Sequence, residues 1–450
     1  MKPRDLALRV LNRTRGCAAR QASTGLDAAL NRHAEMPERD RAFTVHLVQG
    51  VYRWQIRLDW IVNASVRFPF KQIEPPVLNL LRLAIYQIFF MDRVPASAAV
   101  NEAVKQAKAI KGGHVAGFVN GILRNICRNK DRIHFPDPDL DPDLYLSVHY
   151  AYPLWLVRKW NRELGRYQTT QLLNAGNAIP PLMLRTHALR CHREELIHRL
   201  ASEGVKAASA SYSPDGIKVE RMRGPVNGLP SFKDGLFQVQ GEAAQICSHL
   251  LDPQPGERVL DVCAGLGGKS THLASLMNDQ GTVVAVDKAQ GRLRNLCETA
   301  ARIRIHSVMP LAGDAAVHLP FSPGMVYDKI LVDAPCSGLG VIARHPDIKT
   351  TRRPDDIKRL ALLQGAILDG AVSLLRPGGR LLYATCTLSR EENEGVVEAC
   401  LSRHHRMRRE DLGAHVPSWG EALIDDQGYF RPLPHRHSME GFFAARLIKR

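Results

Sequence analysis

The chain has 450 residues, with ordinary apolar (45%) and charged (24%) content but a formal charge of +16, from 61 Lys+Arg against 45 Asp+Glu. That length suffices for two or three domains, no stretch approaches the ~18 apolar residues of a membrane span, and the charged start MKPRDLALRVLNRTRG does not resemble a signal peptide. The basic excess points to a polyanion, nucleic acid before an anionic membrane surface, with a merely solubilising charge as the competing reading.

From Arg4 to about Arg128 the apolar periodicity is helical. Leu6, Val10 and Leu11 share a face, as do Phe43, Leu47, Val48, Val51 and Tyr52. Leu78 to Met91 is apolar almost all round, which predicts the buried central helix of an α-bundle ended by Pro95. Ala98 to Ile110 and Val115 to Ile126 read as two more helices joined at Gly112–Gly113. Arg39, Arg41, Arg53, Arg57, Arg82, Arg93, Lys105, Lys108, Lys111, Arg124 and Arg128 stud this segment. Arg39-Asp-Arg-Ala-Phe43, Gly50-Val-Tyr-Arg-Trp54, Leu81-Arg-Leu-Ala-Ile-Tyr-Gln87, Asp92-Arg-Val-Pro-Ala96, Val100-Asn-Glu-Ala-Val104 and Gly117-Phe-Val-Asn-Gly-Ile-Leu-Arg124 together resemble the NusB-like RNA-binding helical domain.

His134 to Leu146, dense in Pro and Asp, reads as a linker. An amphipathic helix follows over Tyr150 to Leu164, then a strand, LMLRT, after Pro180–Pro181. A helix over Arg193 to Glu203 and a short strand over Gly216 to Glu220 complete a small α+β piece. From Gly235 strands and helices alternate, which predicts a doubly wound sheet. Its strands are Arg258 to Val262, Thr282 to Val286, Val308 to Leu311, Lys329 to Val332 and Arg380 to Ala384. Tyr429 to Leu433 and Phe442 to Ile448 read as a terminal antiparallel pair. The expected domains are 1–135, 146–232 and 235–450.

Two of these strands run into chemistry. Lys329 to Gly340 (KILVDAPCSGLG) and Arg380 to Thr387 (RLLYATCT) are apolar runs too short for helices, read as buried parallel strands. They deliver Asp333, Cys336 and Cys386 to the carboxyl edge of the sheet, where open α/β sheets do their chemistry. The nine cysteines, irregularly spaced and without a C-x-x-C pair, are those of a reduced cytoplasm rather than of disulfides or zinc, so no metal is expected. Cys247, Cys297 and Cys400 read as packing residues.

Val259 to Lys269 is a strand, a glycine-rich turn and a helix start near Ser270, a place where backbone N–H groups meet a ligand. It is not a dinucleotide fingerprint, because Ser270 stands where the third glycine belongs. It is not a P-loop either, because Cys263 stands where the first does. The next strand ends at Asp287, placed to accept both hydroxyls of a ribose, and another ends at Asp314, placed for an adenine amino group. Ribose and adenine contacts without a pyrophosphate loop describe S-adenosylmethionine. Methylating C5 of cytosine needs a thiolate to add at C6, because C5 is a poor nucleophile, and then a base to take the C5 proton. From the residues alone either Cys336 or Cys386 serves as the nucleophile.

DAPCSGLG with YATCT, behind the C-A-x-x-G-G-K turn, resembles the RNA cytosine-C5 methyltransferases, and the NusB-like segment places the resemblance in the bacterial RsmB branch, which modifies 16S rRNA. His345-Pro-Asp-Ile-Lys349, Pro377-Gly-Gly-Arg380, Glu391-Glu-Asn393 and Gly441-Phe-Phe443 extend it over almost the whole chain. It implies a Rossmann-like α/β methyltransferase domain with a mostly parallel sheet, preceded by the all-α domain and a small α+β bridging subdomain. It implies Cys386 as the nucleophile, Cys336 as the aid to C5 deprotonation or adduct release, Asp333 on the cytosine edge, and Lys269 beside both. Cofactor contacts are implied for Cys263, Ala264, Gly265, Leu266, Gly267, Gly268, Lys269, Asp287, Arg292, Asp314 and Asp333. The expected substrate is 16S rRNA, free or in an early small-subunit particle, and the expected enzyme a cytoplasmic monomer. The same chemistry on tRNA or 23S rRNA, and a non-catalytic RNA-binding assembly factor, are the alternatives. Three positions depart from the family pattern: Gly265–Leu266 replaces Ala–Pro in the turn, Arg185-Thr-His187 replaces Arg-x-Asn, and Gly241 stands where an aspartate is usual.

Overall fold

The computed structural model describes the chain outside residues 14–20, 318–320 and 322–323. It divides into two compact units, one of residues 1–178 with 342–352, the other of residues 179–341 with 353–450.

The first unit is helical: α1 (Pro3–Arg13), α2 (Gln21–Asn31), α3 (Glu38–Ser65), α4 (Pro75–Phe90), α5 (Ala96–Lys111), α6 (Gly113–Arg128), α7 (Pro142–His149) and α8 (Leu154–Ala175). As its all-round apolarity requires, α4 is central, with Leu80, Leu81, Leu83, Ala84 and Ile85 buried among Leu47, Val51, Leu58, Val119 and Leu123. The stretch read as a linker is helical from Pro142, where Asp141 caps α7 by accepting from Leu144 N at 3.0 Å. Asp before Pro is an N-cap followed by a favourable first residue. Helix α8 is interrupted at Gly165, whose φ is 77°.

In the second unit a four-stranded antiparallel sheet has the order β2-β3-β1-β4. Its strands are β1 (Leu182–Thr186), β2 (Lys206–Ser209), β3 (Gly216–Arg221) and β4 (Phe237–Val239), with α9 (Arg193–Ser202) and α10 (Pro230–Lys233) between them. Strands β2 and β4, four and three residues long, carry too little alternation to read from sequence. Then come α11 (Glu242–Leu251), β5 (Arg258–Val262), α12 (Gly268–Leu276), β6 (Thr282–Asp287), α13 (Gln290–Ile303), β7 (Val308–Ala312) and β8 (Tyr327–Asp333). The short α14 (Ile348–Thr351) falls in the helical unit, and α15 (Pro354–Ser373), β9 (Leu375–Thr385), α16 (Glu394–Arg403), β10 (Met407–Glu410) and β11 (Phe443–Lys449) return to the sheet.

This second sheet has seven strands in the order β10-β11-β9-β8-β5-β6-β7. Strands β9, β8, β5, β6 and β7 are parallel, and β11 runs antiparallel to both β9 and β10. It is a doubly wound, Rossmann-like sheet with an antiparallel edge, as expected. Its two faces are buried by alternate residues: Ile330, Val332 and Tyr383 pack with Ile367, Leu368 and Ala371 of α15, while Leu331, Leu382 and Ala384 pack with Ile246 and Leu250 of α11 and Leu273 of α12.

The expected strand over Tyr429 to Leu433 is also corrected. Residues 429–433 do not form a strand; Phe430 makes only isolated bridges, to Ile424 and Ala444. Pro432 and Pro434 lack the N–H groups a ladder needs. The antiparallel partner is β10, whose sequence MRRE has one apolar residue, the buried Met407. A short charged strand is what a sheet edge tolerates, but it has no hydrophobic alternation to announce it.

Candidate active site

Strands β8 and β9 are neighbours in register, with Asp333 opposite Ala384. Their ends therefore release the 334–340 and 386–393 loops side by side. Sγ of Cys336 and Sγ of Cys386 stand 3.2 Å apart. Cys336 is buried and Cys386 half-buried.

A buried polar network fixes both loops from behind. Glu392, with no exposed surface, accepts from Ser337 N at 2.8 Å and from Gln364 Nε2 at 3.0 Å. Its other oxygen accepts from the Ser337 hydroxyl, which pairs with the Thr387 hydroxyl at 2.7 Å, and Thr387 Oγ1 stands 3.4 Å from the same carboxylate oxygen. Ser337 follows Cys336 and Thr387 follows Cys386, so one carboxylate and two hydroxyls tie the two loops together. Asn393 adds a second tie, accepting from Thr385 Oγ1 at 2.6 Å and donating to Thr387 O at 3.1 Å. Glu391-Glu-Asn393 is present in the sequence as a motif, but its periodicity and charge carry no sign of this task.

Lys269, near the start of α12, donates to Asp333 Oδ2 at 2.7 Å, and its Nζ lies 5.4 Å from the centre of the Phe442 ring. Burial disfavours the ammonium, but the Asp333 carboxylate outweighs it and holds the pKa above the ordinary lysine range. Asp261, also buried in this region, accepts from Ser270 Oγ at 2.6 Å while its Oδ1 has no partner among the described residues. Burial, with Asp333 nearby, pushes its carboxyl up to about 7.

The glycine turn bends back over the sheet through Cys263, Gly265 and Gly267, all at positive φ. At Gly267 the conformation and the space both demand glycine, since a Cβ there would stand 2.4 Å from Leu296 Cγ. Asp287 buttresses the turn: one oxygen accepts from Gly265 N at 2.9 Å and the other from Ala289 N at 2.8 Å. Arg292 lies 3.6 Å from Asp287 Oδ2, and Lys288 lies 3.9 Å from Asp314. Leu266 points its side chain outward, 57% exposed. Burial, reinforced by Asp333 and Asp287, pushes the Cys263 thiol up to about 12, so it stays protonated beside the turn. Thus Cys336 meets Cys386, Lys269 meets Asp333, and Asp287 meets Gly265 and Arg292.

Sequence reasoning missed the role of Arg185. This buried arginine of β1 donates to Gly268 O and to Gln240 Oε1, and to Thr271 Oγ1 at 3.2 Å, so the small sheet grips the start of α12. Burial lowers its pKa to about 9.

The chain's likeness to known proteins agrees with this geometry. Residues 248–448 match the family model 16S rRNA methyltransferase RsmB/F, residues 1–128 the NusB family, and residues 152–227 the RsmF/B-like ferredoxin-like domain. The chain is 36% identical to the "Probable ribosomal RNA small subunit methyltransferase B" of Synechocystis, over 94% of each chain. It is 36% identical to the ribosomal RNA small subunit methyltransferase B of Pseudomonas putida, over 100% of this chain and 99% of that one. The chain belongs to the 16S rRNA methyltransferase RsmB/F family. It is an rRNA methyltransferase with an N-terminal NusB domain and a ferredoxin-like subdomain. Among solved structures it resembles the crystal structure of PH0851, with a TM-score of 0.83 and 27% identity over 100% of this chain and 99% of that one. NSun6 from Pyrococcus horikoshii, solved with SFG, aligns with a TM-score of 0.59 and 25% identity over 67% of this chain and 99% of that one.

The basic residues of the helical unit sort by exposure. Arg39, Arg93, Lys105, Lys108, Lys111, Arg124 and Arg128 are exposed. The others serve the fold: Arg41 donates to Leu30 O at 2.7 Å, Arg57 to His149 O at 3.2 Å, Arg82 pairs with both oxygens of Asp59, and Arg53 is buried, donating to Ala343 O at 2.8 Å. Lys349 answers that bond, donating to Arg53 O at 3.0 Å with its Nζ 3.7 Å over the Tyr152 ring. Residues 342–352 are held in the helical unit by this reciprocal pair. Among the described residues no helix is long and apolar enough to cross a membrane.

Proposed function

We propose that this enzyme transfers the methyl group of S-adenosylmethionine to C5 of a cytidine in 16S rRNA through a covalent adduct on Cys386. The observation that carries the reading is the pairing of two thiols 3.2 Å apart at adjacent strand ends, beside a carboxylate tied to a buried ammonium. Amino-group methylation has no use for that pair, whereas C5 methylation needs a nucleophile at C6 and a proton acceptor at C5.

The turn suits the cofactor. Its positive-φ backbone and the N-terminus of α12 offer N–H groups, and Asp287, Asp314 and the unpartnered Oδ1 of Asp261 offer acceptors for hydroxyl and amino groups. S-adenosylmethionine supplies a methyl group made electrophilic by its sulfonium. Its analogue SFG accompanies the related NSun6 structure, which favours the same cofactor here. Cys263 to Lys269, Asp287, Arg292, Asp314 and Asp333 are the residues proposed to hold it.

In this scheme Cys386, the less buried of the two cysteines, adds to C6, and the electron pair displaced towards C5 makes that carbon nucleophilic. Asp333 holds the N3/N4 edge of the base, and Lys269 fixes Asp333. After methylation the C5 proton leaves with the aid of Cys336, and the electrons of that C–H bond expel Cys386 from C6.

The test is bisulfite sequencing of ribosomal and transfer RNA from cells with and without the gene. One protected cytidine lost from 16S rRNA is expected; a site lost elsewhere overturns the substrate, and no lost site overturns the reaction. Purified Cys386→Ala should bind RNA and cofactor yet transfer no methyl group. Normal turnover by that variant would move the nucleophile elsewhere.

A further inference from the structure

Gly241 is the N-cap of α11, at φ −65° and ψ 148°, and no side chain caps the helix there. Its φ is open to any residue, so conformation does not demand glycine. What occupies the space beside it is the flexible end of a single side chain. A Cβ at 241 would stand 2.1 Å from Glu440 Oε1, 2.8 Å from Glu440 Cδ and 3.1 Å from Glu440 Oε2. The Glu440 carboxylate thus fills the volume that an N-cap side chain would occupy. A helix N-terminus carries unpaired N–H groups and partial positive charge, and an oxygen-bearing N-cap is worth about 0.5–2 kcal/mol. Here the carboxylate comes from a residue nearly two hundred positions later in the chain.

The residues after Glu440 reach the active site one by one. Gly441 N donates to Gly340 O at 2.9 Å, in the loop that carries Cys336. The two backbones cross so closely that a Cβ on Gly340 would lie 2.0 Å from Gly441 O. Phe442 lies against the Lys269 ammonium. Phe443 pairs with Thr385, the residue before Cys386. On the other side of Gly241, Gln240 shares Arg185 with the carbonyl of Gly268 in the cofactor turn.

We infer that Glu440 is a positioning residue for methyl transfer. Its carboxylate replaces the missing N-cap group of α11 and anchors the 440–443 clasp, which holds Lys269, the Cys336 loop and the end of β9 in one geometry. Gly241 and Glu440 are therefore a matched pair: with glycine at 241 the carboxylate at this helix start comes from Glu440, and a side chain at 241 would have to displace it. The inference rests on the proposed site being where methyl transfer takes place.

The test is a double-mutant cycle on the full-length enzyme, following transfer of labelled methyl to 16S rRNA, KM for S-adenosylmethionine, and Tm. Glu440→Ala should lower kcat about tenfold and shift KM less than twofold, because the clasp bears on the reacting groups rather than on the ribose end of the turn. Glu440→Gln, which keeps the shape, should fall between. Gly241→Asp should be at least as damaging as Glu440→Ala, since two carboxylates then compete for one space. Combining Gly241→Asp with Glu440→Ala should recover Tm relative to Glu440→Ala, because the carboxylate introduced at 241 can cap α11, but should leave kcat lowered, because nothing then anchors residue 440. A double variant that recovers no Tm, one that recovers full kcat, or an undiminished kcat in Glu440→Ala overturns the inference. Should the native enzyme modify no RNA, the proposed function fails separately; the cycle is then read in Tm, where an additive double variant overturns the pairing and a recovered one supports it.

Discussion

The sulfur atoms of Cys336 and Cys386 lie 3.2 Å apart although fifty positions separate them in the chain. Parallel pairing of β8 with β9 brings them together, and Glu392 keeps them there. Two thiols at this distance compete for one substrate position, so under the proposed mechanism their roles differ in time: one forms the bond to carbon, the other acts when that bond breaks. Removing the second should therefore trap the first. Cys336→Ala is expected to slow turnover by at least about a hundredfold and to accumulate a protein–RNA conjugate on denaturing gels. The conjugate should be absent from the Cys386→Ala, Cys336→Ala double variant. A Cys336→Ala enzyme that turns over slowly with no trapped RNA would give Cys336 no part in release.

Most of this arrangement was legible in the sequence because it lies on long-range but regular features. Buried parallel strands read as unbroken apolar runs, and each such run ended in a polar residue that marks a sheet edge, as at Asp287 and Asp333. Motif resemblance then singled out Cys386, which spacing alone did not. What sequence could not give were contacts between side chains far apart in the chain. Arg185 reads as one arginine in a five-residue strand, yet it grips the glycine turn at the start of α12. Gly241 reads as a missing carboxylate until Glu440 is seen beside it. The edge strand β10 was missed because Arg408, Arg409 and Glu410 have no apolar alternation, and the apolar Tyr429–Phe430 drew the assignment to a proline-flanked loop.

Glu392 makes the two thiol loops mechanically one. Replacing it by Ala leaves Ser337 N–H, the Ser337 hydroxyl and the Gln364 amide without their shared acceptor in a site with no solvent access. Each buried donor left unmade costs about 1–3 kcal/mol, so Glu392→Ala should lower stability by about 3 kcal/mol or more and reduce kcat further than Ser337→Ala, which removes only one partner. Glu392→Gln sets an amide N–H₂ against donors and should recover little. Urea denaturation alongside steady-state kinetics checks both, and a fully active, stable Glu392→Ala enzyme would remove the network from any part in catalysis.

Acid should destabilise the fold in a window set by buried histidines. His249 and His272 both meet Asp215 Oδ2, at 2.7 and 3.0 Å. Burial first, then the nearby Arg185 cation, pulls the His272 pKa down to about 3 despite the Asp215 carboxylate. Burial and Arg185 likewise take His187 to about 4. An unfolded chain protonates both near pH 6.5, while the folded chain keeps them neutral. Stability that depends on neutral imidazoles is thus complete above about pH 6.5 and declines as pH falls towards 3–4, at up to about 1.4 kcal/mol per pH unit for each. Burial opposes ionisation of Asp215, but hydrogen bonds from His249 and His272 outweigh it and hold the carboxyl below its ordinary range, which adds a further loss below about pH 4. Tm should fall steadily from pH 7 to pH 4.5, and His272→Gln should flatten the slope while lowering Tm at pH 8. A Tm that does not change over this range would mean that the imidazoles charge freely in the folded enzyme.

Exposure also divides the basic residues of the helical unit into two experimental classes. Arg93, Arg124 and Arg128 are exposed, so replacing any of them by Ala should leave Tm within about a degree while weakening RNA binding. Every phosphate that such a replacement leaves without its cation should reduce the slope of log K against log salt concentration by about 0.7–0.9. Arg82 belongs to the other class: its fork on Asp59 leaves a carboxylate unpaired when removed, and burial already pushes the Asp59 pKa up. Arg82→Ala should lower Tm by several degrees and leave the salt slope of the folded protein unchanged. Binding titrations from low to high salt, beside thermal melts, separate the classes. If the exposed arginines change neither affinity nor slope, the +16 charge engages RNA through the catalytic unit instead, and Arg403, Arg406 and Arg408, exposed around the edge strand β10, become the residues to replace next.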